Sequence, residues 1–203
     1  MDRSELAELQ CIQPIANLAS IAELGILCHN LAEEVDHVDV SDQRVQDLRH
    51  GKVVPHESGH GRELHDYANA YICARNPMMH VRRHRHTELA VLRLSCNVLD
   101  LAEAIVADGN AASKYTSFRA SLGGLTAINE EVTFMGDPRH ADQIEEWRRT
   151  REQCAEVLVP ECIPPEHIVG GYVSCEASLE TVLALSLPWP TTINPRMFFQ
   201  SDE

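Results

Sequence analysis

Apolar residues along the chain fall into short runs of strand length that alternate with segments of helical spacing. The clearest strand-like runs are Glu88–Cys96, Ala104–Ala107 and His167–Ser174, in which aliphatic residues follow one another closely. In contrast, Asn17–Leu24 and Ser178–Leu187 carry apolar residues at helical spacing and stop before a glycine or a proline. Because strands and helices intermix without a regular βαβ order, we predict an α+β fold.

Weaker patterns predict the remaining elements. Helices are expected at Ser41–His50, with Ser41 as its cap, and at Asn97–Glu103. A short strand is expected to end at Cys11–Ile12, just before Pro14, and a terminal strand to lie around Ile193–Phe199.

The stretch Asp137–Pro160 is typical of a charged helix that runs directly into a short apolar strand. Asp137 suits the helix cap, and the run from Val157 to Val159 is expected to be a buried strand that ends at Pro160. Glu156 lies at the join, so we expect a carboxylate on a rim where it can face a ligand. The simpler alternative is a residue in a surface salt bridge.

Length and charge limit the possible functions. The chain has 203 residues, enough for one domain, and its formal net charge of −14 argues against nonspecific nucleic-acid binding over the whole surface. Positive charge is nevertheless concentrated in Arg75–His86. By default His80–His86 is a solvated surface, and contact with backbone phosphates is its best functional alternative.

Cysteines and termini indicate the compartment. The seven cysteines are scattered and form no CxxC pair, which favours reduced thiols over a disulfide framework or a thiolate zinc site. The first residues lack a basic segment followed by an apolar one, and no apolar run is long enough to cross a bilayer. We therefore expect a soluble cytoplasmic protein without a signal peptide.

A zinc-peptidase motif occurs once, in residues His56, Glu57 and His60. That chemistry needs a helix, so that both histidines lie on one face. Because Pro55 precedes the motif and Gly59 lies inside it, we favour a polar loop and expect no metal. A zinc-dependent hydrolase is the least favoured alternative.

Three other residues allow two interpretations each. Arg49 near a predicted helix end is either a cation that suits the helix dipole or a functional group. Tyr67 and Tyr71, spaced i, i+4, are either helix-packing residues or a platform on which a base stacks.

Taken in order, short motifs along nearly the whole chain resemble the DarT family of DNA-targeting ADP-ribosyltransferase toxins. The motifs are Ile15-Ala16-Asn17-Leu18, Val45-Gln46-Asp47-Leu48-Arg49, Leu64-His65-Asp66-Tyr67, Tyr71, Arg75-Asn76-Pro77-Met78, Val91-Leu92-Arg93-Leu94, Val106-Ala107-Asp108, Ala155-Glu156-Val157-Leu158-Val159 and Pro195–Phe199.

The resemblance implies a single ADP-ribosyltransferase domain over residues 1–203. Its fold would have a split central β-sheet flanked by helices, with a substrate-recognition insertion at about residues 117–155. It also implies transfer of ADP-ribose from NAD to a base in single-stranded DNA, with thymine more expected than guanine. As a toxin, the protein would have a macrodomain-type antitoxin as its partner. A weakened module that only binds NAD or nucleic acid is the alternative.

The resemblance also assigns roles to individual residues. Catalytic roles fall to Glu156 and Arg49. The residues implied to bind NAD are Cys11, Ile12, Gln13, Asn17, Ser20 and Arg49. The residues implied to bind nucleic acid are Tyr71, Arg75, Met78 and Arg148.

One departure from the family concerns the opening motif. The family has a histidine, a hydrophobic residue, a threonine and a second histidine, where this chain has Cys11, Ile12, Gln13 and Pro14. If backbone groups of this strand hold the nicotinamide amide, Cys11–Gln13 can still serve. If a histidine side chain orients NAD, affinity or activity would fall.

Overall fold

The computed structural model describes residues 1–55 and 61–201. Within them the strands are β1 (Leu9–Pro14), β2 (Ile26–Leu27), β3 (Val53–Val54), β4 (Arg62–Glu63), β5 (Tyr67–Tyr71), β6 (Leu89–Leu94), β7 (Ile105–Ala107), β8 (Phe118–Ala120), β9 (Glu156–Pro160), β10 (Cys162–Ile163), β11 (Ile168–Val173) and β12 (Thr191–Ile193).

The α-helices are α1 (Leu18–Leu24), α2 (His29–Ala32), α3 (Gln43–Arg49), α4 (Pro77–Arg82), α5 (Ser121–Gly124), α6 (Glu130–Thr133), α7 (Gln143–Glu152) and α8 (Glu176–Leu183). Short 3-10 helices lie at Arg3–Glu5, Ile15–Asn17, Leu64–Asp66, Arg83–Glu88, Cys96–Asp100, Leu125–Ala127, Pro165–His167 and Pro195–Phe198.

Eight of these strands form a central sheet in the order β12-β11-β6-β1-β5-β9-β7-β8. Neighbours are antiparallel except for β11 and β12, which are parallel. The sheet is nearly split in its middle. β1 pairs with β6 along its whole length but with β5 at the single pair Gln10–Tyr71. The two halves of the sheet therefore part beyond this pair.

Apolar side chains cover both faces of the sheet. On β6, Leu92 and Leu94 belong to the largest apolar cluster, whereas Leu89 and Val91 belong to a second cluster on the opposite face. All four are fully buried, as alternation along a doubly covered strand requires. The structure thus confirms the predicted α+β class: a large central sheet with helices around it.

Several predicted elements are confirmed. The strongest apolar runs contain β6 and β11, and the run after Glu156 belongs to β9. The helix predicted from Asn17 is α1, and Gly25 ends it with φ of +81°. Its ψ is −172°, and this positive-φ conformation is open mainly to glycine, which adopts it at little cost.

Two helices begin later than predicted, because an aspartate further along the chain than the predicted cap caps each of them. Asp42 rather than Ser41 caps α3, and its side chain accepts a hydrogen bond from the Arg44 amide. Asp142 rather than Asp137 caps α7, whereas Asp137 forms an ion pair with Arg139. In both cases the prediction took the first residue able to cap, but the chain used a later one.

The predicted strand at Ile193–Phe199 is mostly wrong. Only Thr191–Ile193 is a strand, and Pro195–Phe198 forms a 3-10 helix. The Asn194 side chain accepts a hydrogen bond from the Met197 amide, and Pro195 has no amide hydrogen to give to a sheet.

The substitution Leu92→Ala tests the double-sided core. We expect it to lower the free energy of unfolding by about 2–5 kcal/mol, because a fully buried side chain leaves a cavity. Leu183→Ala is the control, since Leu183 is 62% exposed and its loss should change stability by about 0.5 kcal/mol or less. Urea unfolding measures both, and similar values for the two variants would contradict this packing.

Candidate active site

A cleft opens where β1 and β5 part. The second half of β1 and residues of β5 form its floor, and α1, α3 and residues 35–41 form its walls. Of the residues predicted for catalysis or binding, those lining the cleft are Cys11, Ile12, Gln13, Asn17, Ser20, Arg49, Tyr71, Met78 and Glu156. Arg75 and Arg148 do not line it.

Glu156 is the first residue of β9 and lies in the interior of the cleft. Its register partners are Tyr71 on β5 and Ala107 on β7, so the side chains of all three lie on one face of the sheet. The residue is 2% exposed. The expected rim position is therefore wrong in one respect: the carboxylate faces the cleft but is buried.

Two donors from distant segments contact the Glu156 carboxylate. The Ala111 amide donates to Oε1 at 2.9 Å, and Arg49 Nη1 lies 3.4 Å from Oε2. Arg49 is the last residue of α3, and its side chain is 11% exposed. Each oxygen thus has a different partner, which fixes the orientation of the carboxylate.

A histidine holds α3 beside the cleft. His65 Nε2 and the Gln46 side-chain oxygen lie 3.0 Å apart, which joins α3 to the segment before β5. The His65 ring is 4.3 Å from that of His29. Burial, followed by the charges of His29 and Arg49, lowers the pKa of His65. A neutral His65 is thus favoured next to the Arg49 guanidinium.

The opening motif forms its own hydrogen-bond chain. The Gln13 amide donates to Cys11 Sγ at 3.2 Å, and the Cys11 thiol donates to the Asn69 carbonyl at 3.4 Å. Burial raises the pKa of Cys11 to about 11, so the group is a thiol at neutral pH. Cys11 therefore connects β1 to β5 where the two strands have stopped pairing.

Residues 35–41, here called the strap, run along the cleft and are fastened from two sides. The Asn17 side chain donates to the Val38 carbonyl and accepts from the Val38 amide, both at 2.9 Å. Arg82 Nε donates to the Val40 carbonyl at 2.7 Å. The Asn17 amide, implied by the resemblance to bind NAD, is thus engaged with the strap.

The residues implied to bind nucleic acid lie in different settings. Tyr67 and Tyr71 are on β5, not on a helix, because a spacing of four also keeps side chains on one face of a strand. Tyr71 is 9% exposed, and burial, followed by the charge of Glu156, raises its pKa well above the ordinary value. Its ring is a wall of the cleft rather than an exposed platform.

Arg75 and Arg148 are both engaged outside the cleft. Arg75 Nε donates to the Arg196 carbonyl at 3.0 Å, and its guanidinium stacks on the Phe199 ring at 4.3 Å. Arg148 on α7 pairs with Glu145 at 2.7 Å and with Glu152 at 2.9 Å.

Two basic residues near the cleft were not predicted as individual site residues. Arg82 belongs to the basic run assigned to a solvated surface, yet it is 9% exposed and lines the cleft. Lys52 donates to the carbonyls of Ala111 and Ser113 beside Glu156. Its one sequence signal is its rarity, since Lys114 is the only other lysine.

The zinc motif His56–His60 lies outside the described residues. Among residues 1–55 and 61–201, no group of three or more His, Cys, Asp or Glu side chains has a metal-binding arrangement. All seven cysteines are free thiols. In the same part of the chain, no helix combines the length and apolarity needed to cross a membrane.

Comparison with known proteins shows which family the chain matches. A family model described as "ssDNA thymidine ADP-ribosyltransferase, DarT" matches residues 11–199. Over 178 residues the chain is 30% identical to a DNA ADP-ribosyl transferase-DNA ADP-ribosyl glycohydrolase fusion protein of Thermosipho africanus (strain H17ap60334). It is also 28% identical over 186 residues to a DNA ADP-ribosyl transferase of Thermus aquaticus (strain ATCC BAA-2747 / Y51MC23).

These matches cover most of the chain but not all of each relative. They cover 82% of the chain and 42% of the Thermosipho fusion protein, so the chain spans less than half of that relative's length. For the Thermus aquaticus protein the shares are 85% and 79%.

Two solved structures have the same fold. Thermosipho africanus DarTG in complex with ADP-ribose superposes with a TM-score of 0.83 at 27% identity, covering 97% of this chain and 52% of that one. Thermus sp. 2.9 DarT in complex with ADP-ribosylated ssDNA gives a TM-score of 0.82 at 21% identity, with coverage of 96% and 97%.

The substitution Asn17→Ala tests the fastening of the strap. Because the Val38 amide loses its acceptor and the Val38 carbonyl a donor, we expect hydrogen exchange at Val38 to become about 10-fold faster. Asn97→Ala is the control, since Asn97 is exposed and does not contact the strap. Unchanged exchange at Val38 in the Asn17 variant would contradict the role given to this side chain.

Proposed function

The chain belongs to the DarT family, and from this premise we propose that it is an NAD-dependent mono-ADP-ribosyltransferase that modifies thymine in single-stranded DNA. The observation that carries the proposal is the ion pair of buried Glu156 with the partly buried Arg49, 3.4 Å apart, in the cleft between β1 and β5. Relatives with the same fold have been solved with NAD+ and with ADP-ribosylated ssDNA.

The cleft is chemically suited to NAD. A dinucleotide has apolar ring faces and a diphosphate. The cleft offers apolar walls at Ile12 and Ile21, and the guanidinium groups of the partly buried Arg49 and the buried Arg82. Within the described residues Arg82 forms no ion pair; its contacts are the carbonyls of Val40 and Met78. A buried cation with only carbonyl partners favours an incoming anion.

The reaction breaks the bond between nicotinamide and ribose and forms a bond between the same ribose carbon and a base nitrogen. NAD supplies the ADP-ribose, nicotinamide leaves as a neutral molecule, and the base nitrogen gives up its proton to solvent. Glu156 would hold a ribose hydroxyl and stabilise positive charge at the ribose as the bond breaks.

Arg49 would stabilise negative charge on the deprotonated base or on a phosphate. A guanidinium stays protonated at neutral pH, so a role as proton acceptor does not suit it. Its position beside Glu156 Oε2 supports an electrostatic role, because it faces the same space as the carboxylate. A base has to leave its stack to reach this buried pair, which favours single-stranded over duplex DNA.

Glu156→Gln tests the catalytic carboxylate. We expect transfer of label from NAD to mixed single-stranded oligonucleotides to fall by about 100-fold or more, because the amide keeps the shape but loses the charge. Glu180→Gln, on the exposed face of α8, is the control and should retain activity. Homopolymers of each base identify the modified base, with thymine expected and guanine as the other outcome.

Equal labelling by the wild type and the Glu156 variant would overturn the assignment of Glu156. No labelling of any oligonucleotide by the wild type would overturn the proposed activity. Tight binding of NAD or DNA without turnover would favour the second candidate, a weakened binding module. The observation behind that candidate is the loss of both opening histidines at Cys11 and Pro14.

The segment at about residues 117–155 would recognise the DNA. It contains β8 and α7 and ends directly before β9, so Arg148 lies in the part of the chain that leads into Glu156. Tyr71 and Met78 would contact the base from the cleft wall, and Arg75 would contact the backbone outside it. We regard residues 1–203 as one transferase domain that includes this insertion.

Arg75→Ala and Arg148→Ala test contact with the DNA backbone. If each arginine neutralises one phosphate, each variant should bind single-stranded DNA more weakly, and the slope of log K against log salt should fall by about 0.7. Arg3→Ala is the control, because Arg3 pairs with Asp100 and does not line the cleft. Unchanged affinity and slope would remove these residues from the interface.

The proposed partner is a macrodomain-type antitoxin that removes ADP-ribose from DNA. The Thermosipho relative supports this, since its name joins a DNA ADP-ribosyl transferase to a DNA ADP-ribosyl glycohydrolase in one chain. In a toxin–antitoxin pair the second activity would reverse the product of the first.

A further inference from the structure

Lys52 is connected to the catalytic carboxylate through a single residue. Its Nζ donates to the carbonyl of Ala111 and, at 2.7 Å, to that of Ser113. The amide of the same Ala111 donates to Glu156 Oε1 at 2.9 Å. A displacement of this loop segment would therefore move a donor of the carboxylate.

The loop of residues 108–117 is held from outside on two sides, and Lys52 lies on one of them. On its other side, Arg151 Nη1 pairs with Asp108 at 2.7 Å, and the Asn110 amide donates to the Arg151 carbonyl at 2.9 Å. Gly109 allows this close approach, because a Cβ there would lie 2.8 Å from the Arg151 carbonyl oxygen. Arg151 thus holds the start of the loop, and Lys52 holds its middle.

Lys52 is a partly buried hydrogen-bond donor rather than a solvated surface charge. Its ammonium group lies 5.2 Å from the centre of the Phe118 ring. Burial, and then the charge of Arg49, lowers the pKa of Lys52, while Glu156 opposes that shift. Charge-assisted bonds to two carbonyls are stronger than neutral ones, so they limit the movement of the loop.

We propose that Lys52 is a positioning residue for the transfer reaction, acting through the Ala111 amide on the orientation of Glu156. Ala111 holds Oε1 and Arg49 lies beside Oε2, so a shift of Ala111 would turn the oxygen proposed to hold the ribose hydroxyl. The inference rests on the proposed function. It adds a residue that does not itself touch the substrate.

Lys52→Met and Lys52→Arg test the proposal, with Lys114→Met as the matched control. Lys114 is the other lysine of the chain and is exposed on the same loop; among the residues that the structure describes, its ammonium group contacts the Tyr115 ring. We expect Lys52→Met to lower kcat by about 10- to 100-fold, since small displacements of catalytic groups have effects of this size. KM for NAD should change by less than about 3-fold, and Lys52→Arg should recover part of kcat.

Two further measurements separate the possible outcomes. Hydrogen exchange at the Ala111 amide should become faster in Lys52→Met and stay unchanged in Lys114→Met. Thermal unfolding reports loss of folded protein. Unchanged kcat in Lys52→Met, or a loss that only follows the unfolded fraction, would overturn the positioning role while leaving the proposed function intact. Inactive wild-type protein would instead overturn the proposed function, and this role with it.

Discussion

A carboxylate buried inside a sheet needs hydrogen-bond donors, and the donors to Glu156 come from segments far away in sequence. Arg49 comes from the end of α3 and the Ala111 amide from the loop after β7. Removing one partner of a buried pair costs about 3–5 kcal/mol, because the other charge stays buried without compensation. The capping of α3 by Asp42 and the fastening of the loop by Lys52 are therefore parts of one arrangement around Glu156.

A second polar arrangement, centred on Gln10, lies at the last strand pair before the sheet parts. Gln10 pairs with Arg93 on one side and Tyr71 on the other, and Tyr71 pairs with Glu156. These four side chains form a row on one face of the sheet. The Gln10 amide donates to Glu8, and its oxygen accepts from the Ala74 amide at 2.8 Å. The last pair before the cleft is thus held by side chains as well as by backbone.

The sequence predicted what local pattern determines and missed what distant contacts determine. The apolar run of β9 and the glycine after α1 have local signals, so both were correct. The i, i+4 spacing of Tyr67 and Tyr71 fits a helix and a strand equally well, because four is also an even number. Arg49 and Glu156 were paired by resemblance to a family rather than by pattern. The contact of Lys52 with Ala111 spans 59 residues and has no local signature.

The opening motif, residues 11–14, lines a different part of the same cleft. In the described residues no pair joins β1 to β5 beyond Gln10–Tyr71, so the β1 edge past Gln10 faces the cleft without a strand partner. In the proposed NAD site, such backbone groups suit a carboxamide, which both donates and accepts. The Cys11 thiol and the Gln13 amide contact each other and the Asn69 carbonyl, and so maintain the gap. Binding through this backbone edge does not require the two imidazoles that the chain lacks at residues 11 and 14.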